Sequence, residues 1–351
     1  MSWKSVIYEY VDRRNRMELD YSVKPVLPYL WDEEYLDKLS KHMRRLAAVH
    51  RERGLAPVQS ETRVKLIYSQ EIEGIVTADV ELRRSFEYDV LNRRQKEERI
   101  ERERLSLRQR GSHWIISRVE RPPSSEHEPG SGRVEYAVNP YMGDWEAVSQ
   151  PEDSAYALIA GMKTCSMPYL NREIFPAQRM SHRVAPYDRA QAVRYADMWW
   201  DSYNPEYLAF DVNCTNYVSQ CLFAGGAPMN YTGKRESGWW YRGKSGKQEN
   251  WSFSWAVSNS LQQHLHSSKA GLRGIRVASP KQLQLGDVIC YDWDGNGRFQ
   301  HTTIVTAFSA DGSPLVNAQT VNSKHRYWDY RDSYAWTDRT DYRLYHIPDW
   351  L

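Results

Sequence analysis

Cysteine is scarce in this chain of 351 residues: the four are Cys165, Cys214, Cys221 and Cys290. None stands in a Cys-x-x-Cys pair, which argues against a structural zinc site. Cys214 and Cys221 fall on one expected helix, about 10.5 Å apart along its axis, beyond the reach of a disulfide. A Cys165–Cys290 bridge stays open, but nothing in the sequence requires it, and free thiols fit a reducing compartment. No run approaches the roughly 18 apolar residues of a membrane helix. The opening Met-Ser-Trp-Lys-Ser-Val-Ile-Tyr has no apolar core of a signal peptide, and a removed precursor segment is not expected ahead of a methionine. A soluble, cytoplasmic protein is therefore expected, with release by a non-classical route left open. Formal net charge is only +2, so there is no electrostatic case for nucleic acid or for a polybasic membrane contact. Glycine-rich phosphate loops are missing, and no cofactor is expected.

Aromatic residues, by contrast, are plentiful, with 14 Trp and 24 Tyr. They fill cores or build platforms for peptides and sugars, and composition does not separate the two uses. The length suggests two domains, or one with a sizeable extension.

Residues Trp31 to His50 carry an amphipathic helical pattern. Tyr35, Leu36, Leu39, Met43, Leu46, Ala47 and His50 make its apolar stripe, acidic Asp32-Glu33-Glu34 open it and Gly54 ends it. Strand-like alternation follows at Val64–Tyr68, Val76–Leu82 with Phe86–Val90, Ile100–Leu107 and Trp114–Val119, with Gly111-Ser112 as a hairpin turn. One helix followed by about four long strands predicts a sheet curled around that helix. On topology this resembles the cystatin-like or cone-shaped α+β folds. The charged stretch Arg93–Arg104 reads as solvated strand or turn residues rather than a partner-binding patch. Pro122–Gly132 is the clearest linker. The expected division is a small α+β domain of unknown role over 1–121, a linker and connecting region over 122–185, and a second domain over 186–351.

In that second domain, Asp188 caps a helix with Gln191 at the capping-box position, and Ala192, Val193, Ala196, Trp199, Trp200 and Tyr203 supply its buried face. A turn at Asn204-Pro205 leads to Asp211-Val-Asn-Cys-Thr-Asn-Tyr-Val-Ser-Gln220. Here Cys214 precedes a run with helical spacing that Gly225-Gly226 closes. A thiol in the first turn of a helix faces unsatisfied N–H groups and the positive end of the dipole, which favour the nucleophilic thiolate. An aromatic loop from Trp239 to Trp255 and a helix from Trp255 to His266 follow. Then come a hairpin (Leu285–Trp293 and His301–Phe308, turning at Asp294–Gly297) and a strand from Pro314 to Thr320. Asp292–Gly297 imitates half of a calcium loop, but Thr303 stands where a bidentate Glu belongs, so a turn is expected. His264 and His266 read as surface helix residues and no metal site is expected.

A thiolate needs a base, and the base needs a group to fix its tautomer. His301, at the start of a β-branched strand after a glycine-rich turn, is the best candidate. Asn317 and Gln319 on the following strand are rival groups to orient it. Trp239, Trp240 and Trp255, with Tyr241 and Trp251, either line a substrate cleft or pack the core.

Tyr187–Ala196, Cys214–Leu222 with Gly225-Gly226, Gly286-Asp287 and Gln300–Val305 together resemble the bacterial putative amidase domain family, over roughly residues 186 to 350. That family is similar to the papain-like cysteine amidohydrolases and peptidases that act on cell walls. The resemblance implies an α+β, papain-like architecture, with a Cys-bearing helix packed on an antiparallel sheet that carries the histidine and a third polar residue. It implies acyl transfer: Cys214 attacks an amide carbonyl, His301 protonates the leaving amine, and the Cys214 N–H with help from Asn213 holds the oxyanion. Asp287 is expected to fix a turn. Two departures stand out, since the family commonly has an acid where this chain has Asn213 and tends to have a histidine where it has Gln319. The expected function is a cysteine-dependent hydrolase of amide or peptide bonds, with peptidoglycan-like peptides as substrates. The alternatives are a non-catalytic peptide- or glycan-binding module of the same fold, or an acyltransferase.

Overall fold

A computed structural model describes residues 2–121, 186–245 and 248–351. Within them the chain is α+β, a large antiparallel sheet with several helices. The expected linker and connecting region, and Cys165, lie outside the described residues.

Helix α1 (Trp3–Asp20) begins where the Ser2 hydroxyl accepts the Ser5 N–H at 3.2 Å. Val6, Ile7, Tyr10, Val11 and Met17 form its buried stripe. The sequence reading placed no helix here, although the spacing of those residues and the Ser2 cap announce one. Helix α2 (Glu33–Arg53) is capped by Asp32, which accepts the Tyr35 N–H at 3.0 Å, and ends at Gly54 with φ 64°, a left-handed turn that glycine adopts without strain. Strands β1 (Ala56–Ile72), β2 (Ile75–Val90), β3 (Arg93–Arg110) and β4 (His113–Glu120) follow as consecutive antiparallel hairpins. Both helices bury their stripes against Val76, Ala78, Val80, Leu82, Leu105, Leu107 and Ile116 on one sheet face.

The charged run at 93–104 is a strand, and alternation turns some of its charges inward rather than leaving all of them solvated. Glu103 is buried and meets Arg14 at 2.7 Å. Arg84, also buried, meets Glu18 and Glu101. Charges taken out of water persist only when paired, and here each has its counter-ion.

After the undescribed segment come helices α3 (Arg189–Trp199) and α4 (Cys214–Ala224) and a small hairpin of β5 (Tyr241–Ser245) and β6 (Gln248–Trp251). Helices α5 (Phe253–Ala256) and α6 (Ser258–Ser267) follow, then β7 (Ile275–Arg276), β8 (Val288–Asp292), β9 (His301–Phe308), β10 (Pro314–Ala318), β11 (Asn322–Tyr327) and β12 (Asp341–His346). The sequence reading anticipated α3, α4, the β8–β9 hairpin and β10, but not β7, β11, β12 or the small hairpin.

The sheet runs β1-β2-β3-β11-β10-β9-β8-β12-β7, with β4 also paired to β3. Strand β3 serves two partners: Arg104–Arg110 pair with β4, and Glu98–Ile100 pair with β11. The two stretches read from sequence as separate domains therefore share one sheet. Ion pairs cross the same joint. Arg99 of β3 and Arg326 of β11 both meet buried Asp332, the latter at 3.0 Å, and Arg53 at the end of α2 meets Asp329.

Helix α4 covers one face of the carboxy-terminal strands, where Val218, Cys221 and Leu222 pack with Val288, Cys290 and Ile304. The alternate residues Ile289, Tyr291, Trp293, Val305 and Val316 pack with Tyr330 on the other face. The β8–β9 connection is the expected turn. Its Asp292 carboxylate receives the N–H groups of Asp294 at 3.2 Å and Gly297 at 2.6 Å. Gly295, at φ 63°, lies so close to the Arg339 carbonyl that a side chain would collide with it.

Candidate active site

Cys214 is the first residue of α4, as its spacing predicts, and is 1% exposed. Its thiol lies 3.8 Å from the Thr215 hydroxyl. That hydroxyl meets Thr302 Oγ1 at 3.4 Å, and Thr302 Oγ1 is 2.7 Å from Ser258 Oγ. Burial raises the Cys214 thiol above its ordinary range, while hydrogen bonds from the Thr302 backbone and from the Thr215 and Thr320 hydroxyls oppose that rise without cancelling it. Loss of water disfavours the thiolate at this helix terminus. Cys221 and Cys290 are likewise free and buried, and burial pushes Cys290 up to about 12.

His301 does not join this group. It opens β9 directly before Thr302, and successive strand residues point to opposite faces. Thr302 points toward α4 and α6, so His301 points away from them. Its ring sits among Tyr291, Trp293 and Tyr330, with centroids 5.4, 5.8 and 5.2 Å away, on the far face of the sheet. Burial, with the nearby charge of Arg326, lowers the imidazole to about 3, so it is neutral at physiological pH. The expected contact between the Cys214 sulfur and the His301 imidazole is absent from this arrangement.

The two candidate orienting residues also serve elsewhere. Asn317 Nδ2 donates to Asp197 of α3 at 2.9 Å, and its Oδ1 accepts from Thr306 Oγ1 at 2.7 Å and the His325 N–H at 2.9 Å. Gln319 Nε2 donates to the carbonyls of Trp199 at 2.6 Å and Ser202 at 2.8 Å, while its Oε1 accepts from Asn213 Nδ2. Neither amide bonds to His301 in these contacts; both tie the sheet to α3 and the loop after it. Asn213 is committed in the same way rather than turned toward an oxyanion. Its Oδ1 accepts from the Phe210 N–H at 3.0 Å and Asn216 Nδ2 at 2.9 Å, and its own N–H donates to Thr320 Oγ1 at 3.0 Å.

The tryptophans are core, not cleft. Trp239, Trp240 and Trp255 are all buried. Trp255 Nε1 donates to Asn216 Oδ1 at 2.8 Å and Trp239 Nε1 to Ser219 Oγ at 3.0 Å, which pins the aromatic cluster to the polar side of α4. That arrangement explains the polar residues after Cys214: they are buried acceptors for indole donors. Asp287 holds its turn, accepting from the Gln284 N–H at 2.7 Å, the Ile347 N–H at 2.9 Å and Arg189 at 2.8 Å. Thr215 stands out in the sequence as a polar neighbour of Cys214, but the sequence reading missed the other hydroxyls of this group, Thr302, Thr320 and Ser258. The β-branched pair after His301 was the signal for Thr302.

Residues 186–345 match the family model of a putative amidase domain. The match suggests amide-bond hydrolysis. A curated relative, the uncharacterized protein YhbB of Bacillus subtilis (strain 168), is 53% identical over 167 residues, covering 48% of this chain and 52% of that protein. The chain thus spans about half the length of the curated relative it matches. Among solved structures, the intermembrane-space region of the chloroplast protein ARC6 is similar at 12% identity over 35% of this chain and 98% of that one. Its TM-score of 0.25 carries no argument about fold or function. No helix among the described residues is long and apolar enough to cross a membrane.

Proposed function

We propose that residues 186–351 form an amidase-type domain, papain-like in placing a Cys-bearing helix on an antiparallel sheet, that acts as a non-catalytic binding module. One observation carries this reading: the Cys214 thiol and the His301 imidazole extend from opposite faces of β9 and its neighbours, so the imidazole is not placed to take the thiol proton. Two further facts support it. Burial raises the thiol above its ordinary range, which disfavours the thiolate. Asn213 and Gln319, where the family resemblance implies an acid and a histidine, form a neutral amide pair instead.

A second reading, a cysteine hydrolase acting through an acyl-enzyme on cell-wall peptides, has two observations in its favour. They are the match to the amidase domain and the seat of Cys214 in the first turn of α4. It requires His301 to be carried through the sheet to the helix side, which a rotamer change alone does not accomplish because the strand fixes the direction of Cβ. Incubating the full chain and Cys214→Ala with peptidoglycan fragments and generic peptides, with products read by mass spectrometry, tests the choice. No thiol-dependent product is expected; product formed by the wild type and lost in Cys214→Ala overturns the non-catalytic reading.

A further inference from the structure

A cavity of about 250 Å³ lies where the β2–β3 turn meets the β9–β10 turn and β11, at the end of β9 opposite to Thr302, and Cys214 does not line it. The turn that shapes it is Leu91-Asn92, both in the left-handed region at φ 46° and 62°, as a tight two-residue hairpin requires. Its polar wall comes from Arg93, Arg94, Gln95 and Lys96, with His325 opposite, and no acidic side chain lines it. The cations differ in how they are occupied. Arg94 meets Glu87 at 2.9 Å and Asp89 at 2.8 Å, and Lys96 meets Glu98 at 3.1 Å. Arg93 has no ion-pair partner among the described residues. Beside it the Gln95 amide oxygen is buried and accepts no hydrogen bond there, a cost normally relieved by a donor. The floor is apolar and shallow, built from Val90, Ala307, Ala310 and Leu315. Ser309 also lines the cavity; its buried hydroxyl makes no hydrogen bond among the described residues, since the nearby Asp311 oxygens are held by the Ser313 N–H and hydroxyl.

We propose that this cavity binds the free carboxylate end of a peptide whose last residue is small and aliphatic. The carboxylate pairs with the Arg93 guanidinium, the peptide N–H donates to Gln95 Oε1, and the aliphatic side chain rests on the Val90–Leu315 floor. Three features of the cavity then have a use: the cation without an ion pair, the buried Gln95 acceptor and the small apolar surface. The site is separate from the thiol, so it stands whether or not Cys214 performs chemistry.

Isothermal titration calorimetry on the full chain at low salt, with N-acetyl-Ala-Ala as the probe, tests this assignment. Saturable one-to-one binding is expected, weakened about tenfold in Arg93→Ala and again in Gln95→Leu, the scale of losing a charge-assisted or a buried hydrogen bond. The C-terminal amide of the same probe should bind at least tenfold more weakly. Circular dichroism should match the wild type in Arg93→Ala, where the side chain is exposed, and in Gln95→Leu, where a half-buried side chain keeps its approximate volume. The proposal is overturned if the wild type shows no saturable binding, if Arg93→Ala binds the probe unchanged, or if inorganic phosphate binds as tightly as the peptide.

Discussion

Thr302 and Ser258 place their hydroxyl oxygens 2.7 Å apart on the helix side of the sheet, and this contact fixes which way the preceding residue faces. His301 cannot share that side. The catalytic pair that motif order suggests is thereby divided by a single step of strand alternation.

Protection of the thiol follows. Cys214 is buried with a raised pKa, so iodoacetamide near neutral pH should label it far more slowly in the native protein than in the urea-unfolded chain. Peptide mapping by mass spectrometry after short exposure reads the two rates. Equal labelling of Cys214 in the native and unfolded states would contradict the closed arrangement.

The His301 imidazole, lowered to about 3 from an ordinary 6.5, should not titrate in the native protein between pH 8 and pH 5. Because its folded pKa is depressed, its stability contribution is intact above about 6.5 and is lost as pH falls toward about 3. NMR of the ring carbons should give flat shifts across the upper window. A midpoint near 6.5 would mean the ring is solvated and free to act as a base.

At the joint between β3 and β11, burial alone would raise the Asp332 carboxyl, but Arg326, Arg99 and Arg53 outweigh it and hold the group well below its ordinary 3.8. The sign is that of a depressed acid: stability is present above the unfolded pKa near 3.8 and lost as pH falls below it. Asp332→Ala removes the buried carboxylate that Arg326 and Arg99 share and should cost about 3–5 kcal/mol by urea unfolding at pH 7. A loss under about 1 kcal/mol would show that the cluster is solvated.

Trp255 packs on Trp239 with centroids 4.8 Å apart and on Tyr241 at 5.3 Å. Trp255→Ala should therefore cost about 3–5 kcal/mol of stability, the range for emptying an aromatic core site. A cleft residue would instead leave stability nearly unchanged, which thermal unfolding distinguishes.

Strand β2 was legible because it alternates cleanly, and its neighbours because short turns join the successive hairpins. Helix α2 was legible because Asp32 and Gly54 mark its ends. Helix α1 escaped because charged Arg14 and Glu18 interrupt the apolar spacing of its buried stripe. Strands β11 and β12 escaped for a different reason: Ser323, Arg326 and Arg343 break the apolar alternation, and long-range pairing supplies what local pattern does not. At the site, spacing located Cys214 and the β8–β9 hairpin, but it carries no information on which face of a strand a given residue takes. The tryptophans were ambiguous in the same way. Only the hydrogen bonds of Trp239 and Trp255 to α4 settle that they are core.

The separation of sulfur from imidazole is tested most directly by thiolate absorbance near 240 nm, followed from pH 3 to pH 10 in the wild type and in His301→Phe. With the two groups on opposite faces, the curves should coincide and show no thiolate below about pH 8. A thiolate signal at acid pH in the wild type that disappears in His301→Phe would reveal an ion pair between residues 214 and 301 and contradict the account.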